Sequence, residues 1–318
     1  MMQHSGFLDY KGYRYLKVAG LLAVVALLVY WATQPAGGAA YGGTGFGYAS
    51  GIASALITLL LAWYGIRKRR TPRIPDRRDT DRRKLTNDAG ADDASRRQKN
   101  RRDKRPEETW RYGGTLQGWL SAHVYLGTTL IVLTSLHSGW RVGLNIHTLA
   151  YVLLLLVVAS GFYGAHAYLT FPRRISENSG EGSLGDLLLK IAELDELARL
   201  RALGLPEEIS ALVSLARQGT RLGGSFFQQL SGRQHDCPTT SAVQRMRERG
   251  KQLIEGDQPR QVRDLYAVLL KKQRLVEQAR SEISLTARMQ FWLYLHVPLS
   301  IALLAALFAH VAVIFIYW

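Results

Sequence analysis

The chain has 318 residues, 47% of them hydrophobic, and a formal net charge of +16. Its single cysteine, Cys237, excludes a disulfide within the chain, C-x-x-C-H haem attachment and a cysteine-ligated iron–sulfur cluster. The Lys and Arg excess lies in blocks beside long apolar runs and carries no nucleic-acid recognition motif, so membrane lipid is the expected partner and nucleic acid is not.

In chain order, a short polar segment with Lys11, Arg14 and Lys17 leads into an uncharged run from Val18 to Ile66. The run is long enough for two spans of about 20 residues each, joined at the Gly-rich stretch QPAGGAAYGGTG. The first span lacks a clean small-residue cleavage site and is followed at once by the second, so it is expected to be retained. Gly47 and Gly51 form a G-x-x-x-G pair, for which close helix packing is the expected use. Residues 67–115 are dense in Arg and Lys, broken by prolines and turn residues, and nearly free of apolar side chains. Such a segment reads as a basic cytoplasmic linker along lipid head groups.

A third span is predicted from Trp119 to about Ser138 and a fourth from about Leu149 to Phe171, joined by RVGLNIHT. Arg173 and Arg174 close the fourth span, and a fifth runs from about Phe291 to Trp318. Between them, LGDLLLKIAELDELARLRAL repeats apolar residues three and four apart, Pro206 opens a second helical pattern, and PRQVRDLYAVLLKKQRLVEQARSEISL reads as a long amphipathic helix entering span five. GTRLGG lacks the flanking strand and the spacing of a dinucleotide loop, so no flavin or nicotinamide site is expected there. The expected fold class is an all-α membrane protein: five transmembrane helices forming a haem-binding helical bundle, with a helical cytoplasmic insert. The expected divisions are a two-span hairpin (1–66), the linker (67–115), spans three and four (116–171), the insert (172–288) and span five (289–318). Basic loops on the cytoplasmic side of a bacterial-type inner membrane put the N-terminus and both long loops inside and the C-terminus in the periplasm.

The haem expectation comes from four histidines. His123 and His137 lie fourteen residues apart on span three, and His296 and His310 are spaced identically on span five. Fourteen helical residues make nearly four turns and rise roughly 21 Å, so each pair shares one helix face at two depths. Ionisable groups inside a span are costly and usually functional. A lone intramembrane histidine more often serves a helix contact, but two spans with matched spacing can hold two stacked haems. Two separate two-histidine metal sites are the competing arrangement and would want further ligands. In the topology above, spans three and five are parallel, with His123 and His296 at the cytoplasmic depth and His137 and His310 at the periplasmic depth. His147 and His166, at the two ends of span four, are expected to be interfacial polar residues, with propionate contact or a proton path as the sharper alternative. Pro298 is expected to kink span five near a ligand.

The doubled His-x13-His pattern on two parallel spans resembles the di-haem cytochrome b family of quinol–cytochrome c reductases. Ligands on the third and fifth spans are also similar to the ferric-reductase-like transmembrane domain shared with NADPH oxidases. The resemblance implies two non-covalent haems b, the inner iron held by His123 and His296 and the outer iron by His137 and His310. It implies a membrane electron-transfer subunit working between a cytoplasmic or quinone donor and a periplasmic acceptor such as a soluble cytochrome or iron–sulfur protein. The alternatives are a membrane anchor or scaffold whose insert recruits a soluble partner, and a haem-based redox sensor.

Overall fold

The computed structural model describes residues 7–33, 43–70, 116–179, 183–232, 237–253 and 259–317. The turn around 34–42, most of the basic linker, and His4 and His235 lie outside the described residues. Among the described residues the protein is all-α: no strand occurs, and five helices are long and apolar enough to cross a membrane. The chain is thus a multi-pass membrane protein. In order, the helices are α1 (Arg14–Ala32), α2 (Gly45–Arg70), α3 (Leu116–Ser138), α4 (Ile146–Ser179), α5 (Leu184–Ala202), α6 (Glu207–Gly219), α7 (Phe226–Ser231), α8 (Pro238–Leu253) and α9 (Pro259–Tyr317).

The described chain divides into two compact units, residues 1–162 with 296–318 and residues 163–295, and the divisions fall within α4 and α9. In the first unit, α3 is the central element. Its Leu133 and Leu136 pack with Ala26 of α1, and its Leu130 packs with Leu154 of α4 and Leu303 of α9. Polar groups along α3 are answered by neighbours: Thr129 donates to the Ala19 carbonyl (3.3 Å), Tyr125 to the Leu8 carbonyl (2.9 Å), and Ser135 pairs with the Tyr151 hydroxyl (2.8 Å). In hydrocarbon each such group would otherwise cost several kcal/mol. The outer faces are apolar and exposed, as at Leu28, Leu56, Phe308 and Phe315, which is the surface a bilayer covers. Helix α3 stops after Ser138 because Gly139 takes a left-handed conformation (φ 57). Helix α4 starts where the Asn145 side chain accepts the Thr148 N–H (2.9 Å).

The second unit has its own core, built by the expected amphipathic patterns. On α5 the buried residues are Leu187, Ile191, Leu194, Ala198 and Ala202, three or four apart. Ser183 and Asp186 close the start of α5 as a capping box. On α9, Val262, Leu265, Leu269, Val276 and Ala279 form the facing stripe, and the three–four spacing continues through Lys272, which is fully buried. Its ammonium donates to Asp195 Oδ1 (2.5 Å) and to the Ala216 carbonyl (2.7 Å), tying α9 to α5 and α6. A buried charge persists only with such partners. Burial would push the Cys237 thiol up, but hydrogen bonds from Thr240 and the Arg280 guanidinium (Nη2 3.2 Å from Sγ) outweigh it and hold it below the ordinary thiol range.

Candidate functional site

No Asp, Glu, Lys or Arg occurs between Leu116 and Ser138, between Val142 and Pro172, or after Arg288, so the histidines of these segments sit among apolar and hydroxyl side chains. All four paired histidines fall in the first unit. His123 of α3 faces His296 of α9, ring centres 6.5 Å apart and planes inclined by 62°. His137 of α3 faces His310 of α9 at 6.0 Å and 86°. The two pairs lie one helix-length segment apart, roughly 21 Å along the axis. Each helix contributes one imidazole to each pair, so α3 and this part of α9 run in the same direction.

One ring in each pair has a hydrogen-bond partner on Nδ1. His137 Nδ1 lies 2.8 Å from the Gly47 carbonyl oxygen. A carbonyl can only accept, so Nδ1 carries the proton and the lone pair is left on Nε2. His296 Nδ1 lies 2.6 Å from Ser160 Oγ, a hydroxyl that can give its hydrogen either to that nitrogen or to the Val157 carbonyl (2.8 Å), so this contact orients the ring without choosing its tautomer. Partners on the far nitrogen orient a ring in the way that outer-shell groups orient ligating histidines. On His310, Nδ1 is buried with no hydrogen-bond partner.

The donor set fits iron held between two imidazoles. Two metal–nitrogen bonds of about 2.0 Å end to end, with a ring radius beyond each, separate ring centres by roughly 6 Å, the spacing found in both pairs. Among the described residues no group of three or more His, Cys, Asp or Glu is arranged to hold a metal ion, so each pair offers two imidazoles and no further protein donor of these types. Two donors suit a macrocycle that brings its own four nitrogens better than a bare tetrahedral ion.

Two features add to the sequence expectations. The Gly47–Gly51 pair is a seat for His137 as well as a packing motif: Gly47 supplies the carbonyl, and a Cβ on Gly51 would lie 2.7 Å from the ring's Cε1. His147 lies in the first turn of α4, its ring centre 4.3 Å from that of His310 and nearly perpendicular to it. It is exposed, as an interfacial polar residue would be, and it also lies beside the His137–His310 pair. No sequence spacing signalled that contact, because α4 carries no partner histidine at fourteen residues. His166 is exposed and belongs to the second unit. Tyr64 of α2, buried, packs at 5.2 Å on His123, again without a sequence signal.

The seat gives a prediction from sterics alone. Gly51→Ala must displace the His137 ring or separate α2 from α3, and overpacking of this kind costs about 1–3 kcal/mol. Gly20→Ala, where a Cβ meets nothing within 4 Å, should be neutral or stabilising by up to about 1 kcal/mol through helix propensity. Thermal unfolding of the two variants in one detergent should separate them, and equal midpoints would contradict the seat. No protein-family model, curated protein or solved structure matches the chain.

Proposed function

We propose that the chain is the b-type cytochrome subunit of a membrane oxidoreductase, binding two haems b non-covalently, one between His123 and His296 and one between His137 and His310. The observation that carries this reading is the repeated pair: ring centres 6.5 and 6.0 Å apart at two depths, with a hydrogen-bond partner on Nδ1 of one ring in each. When bound, such a group supplies a one-electron couple whose potential depends on its axial ligands and burial.

The chain's own residues do the positioning. His137 and His296 are oriented by Gly47 and Ser160 through Nδ1, and with His123 and His310 they would hold the two irons. Held by both histidines of a pair, such a group would be suited to electron transfer rather than oxygen chemistry. Leu130, Leu154 and Leu303 pack together in the same unit and exclude water from the interior of the spans. With the basic loops in the cytoplasm of a bacterial-type cell, the 123–296 pair is the inner site and the 137–310 pair the outer one. Electrons then pass between a cytoplasmic or quinone donor and a periplasmic acceptor such as a soluble cytochrome or iron–sulfur protein.

Single replacements by Leu test the pairing. His123→Leu and His296→Leu should each lose the same one of two components in a redox titration, about half the haem per folded chain. His137→Leu and His310→Leu should lose the other, and His147→Leu should retain both. Loss of one component by His123 and His310 variants together would contradict the assignment. Orientation has its own test: a reporter fused after Trp318 should be active only in the periplasm, and cytoplasmic activity would exchange the inner and outer sites.

A further inference from the structure

The second unit carries a feature that electron transfer does not use. Helix α7 is six residues long, yet Phe226 is 50% and Phe227 80% exposed. Their rings stack edge-on (5.7 Å), and Phe226 packs at 5.7 Å on Phe291, where the uncharged stretch of α9 begins. Leu293, Tyr294 and Leu295 on the same stretch are exposed as well, so the aromatic patch of α7 is continuous with the apolar face of span five. In the same unit α4 and α9 pack closely: Ala167 and Phe171 meet Leu285 and Met289, and the Trp292 ring occupies the space a Cβ on Gly164 would need.

At the other end of α7, where Ser231 lies, is a cavity of about 440 Å³ lined also by Arg174, Arg288, Ser281, Ser284 and Glu277. Its two guanidinia stand at the water–lipid boundary in both helices. Arg173 and Arg174 are the first charged residues after the apolar run of α4, and Arg288 is the last before that of α9. Arg288 Nε donates to the Leu230 carbonyl (2.8 Å) and Ser284 Oγ to the same oxygen (3.1 Å), which fixes the end of α7 against α9. The terminal amino groups of Arg288 remain for a ligand, and Arg174 is exposed. Among the described lining residues two guanidinia stand against one carboxylate, Glu277, a net positive sum.

We propose that this cavity and the aromatic patch form a binding site for one anionic phospholipid with a hydroxylated head group, of the phosphatidylglycerol class. Arg174 and Arg288 take the phosphate as fork donors, and Glu277 accepts from a head-group hydroxyl. Phe226, Phe227 and Phe291 lie against the upper acyl chains at the depth where aromatic rings partition. Helix α7 thereby lies on the membrane surface and fixes the insert there. The inference rests on the membrane-spanning character of the chain and not on haem.

The full-length protein in detergent, titrated with phosphatidylglycerol and read by native mass spectrometry, tests it. The wild type should retain one lipid at concentrations where Arg174→Gln retains roughly five-fold less, with a further similar loss in Arg174→Gln/Arg288→Gln. Phe227→Ser should also weaken retention, while phosphatidylcholine and millimolar inorganic phosphate should not displace the bound lipid. Should the double variant fail to accumulate, Arg174→Gln alone decides, because its exposed side chain holds no element in place. Wild-type retention by Arg174→Gln or Phe227→Ser overturns the proposal, as does displacement by phosphatidylcholine or by free phosphate.

Discussion

A hydrocarbon layer tolerates an imidazole only where something in the chain or bound to it answers the ring's two nitrogens. That requirement organises the first unit. Helix α2 gives up side chains at Gly47 and Gly51 so that His137 can lie against its backbone, and α4 offers Ser160 to His296. The helices around α3 and α9 are therefore placed by polar contacts to the rings as much as by leucine packing. On His137 the answered Nδ1 leaves an unprotonated Nε2, and a group that can accept its lone pair is the remaining half of the requirement. The proposed iron would meet it between the rings of each pair, while His310 Nδ1 is buried with no partner among the described residues.

The second unit solves a different problem. Its helices carry many charges, and its core depends on regular three–four stripes meeting around α9. Lys272 interrupts that stripe with a buried ammonium satisfied by Asp195 and a backbone carbonyl, a contact that fixes which helices meet and in what register. Toward the spans the same helix changes character, from the buried polar contacts of Lys272 and Arg280 to the exposed Phe291 and Tyr294. The boundary between water and lipid is written into one continuous helix.

Much of this was legible in the residues. Span positions followed from uncharged runs, because a bilayer demands about 20 apolar residues whatever their neighbours. The stripe of α5 and the long helix ending in span five followed from their periodicity. The histidines announced themselves through equal spacing, since fourteen residues return a helix to the same face. Contacts between segments far apart in sequence were not legible. Gly47 and Gly51 have the pattern of any small-residue interface, and only the fold shows a ring filling the gap. Ser160 is one hydroxyl among many in the spans. His147 lies in the first turn of α4, where its distance from His310 depends on how the helices pack and not on any repeat. Helix α7 is too short for a periodicity to mark it, so its exposed phenylalanines carried no signal until Phe291 was seen beside them.

Iron at the two imidazole pairs can be measured as haem extracted from the purified, full-length protein and assayed as the pyridine haemochrome. Two extractable haems b per chain are expected, with low-spin spectra in both oxidation states. A protein that folds and accumulates without haem, or that yields covalently attached haem, would contradict this.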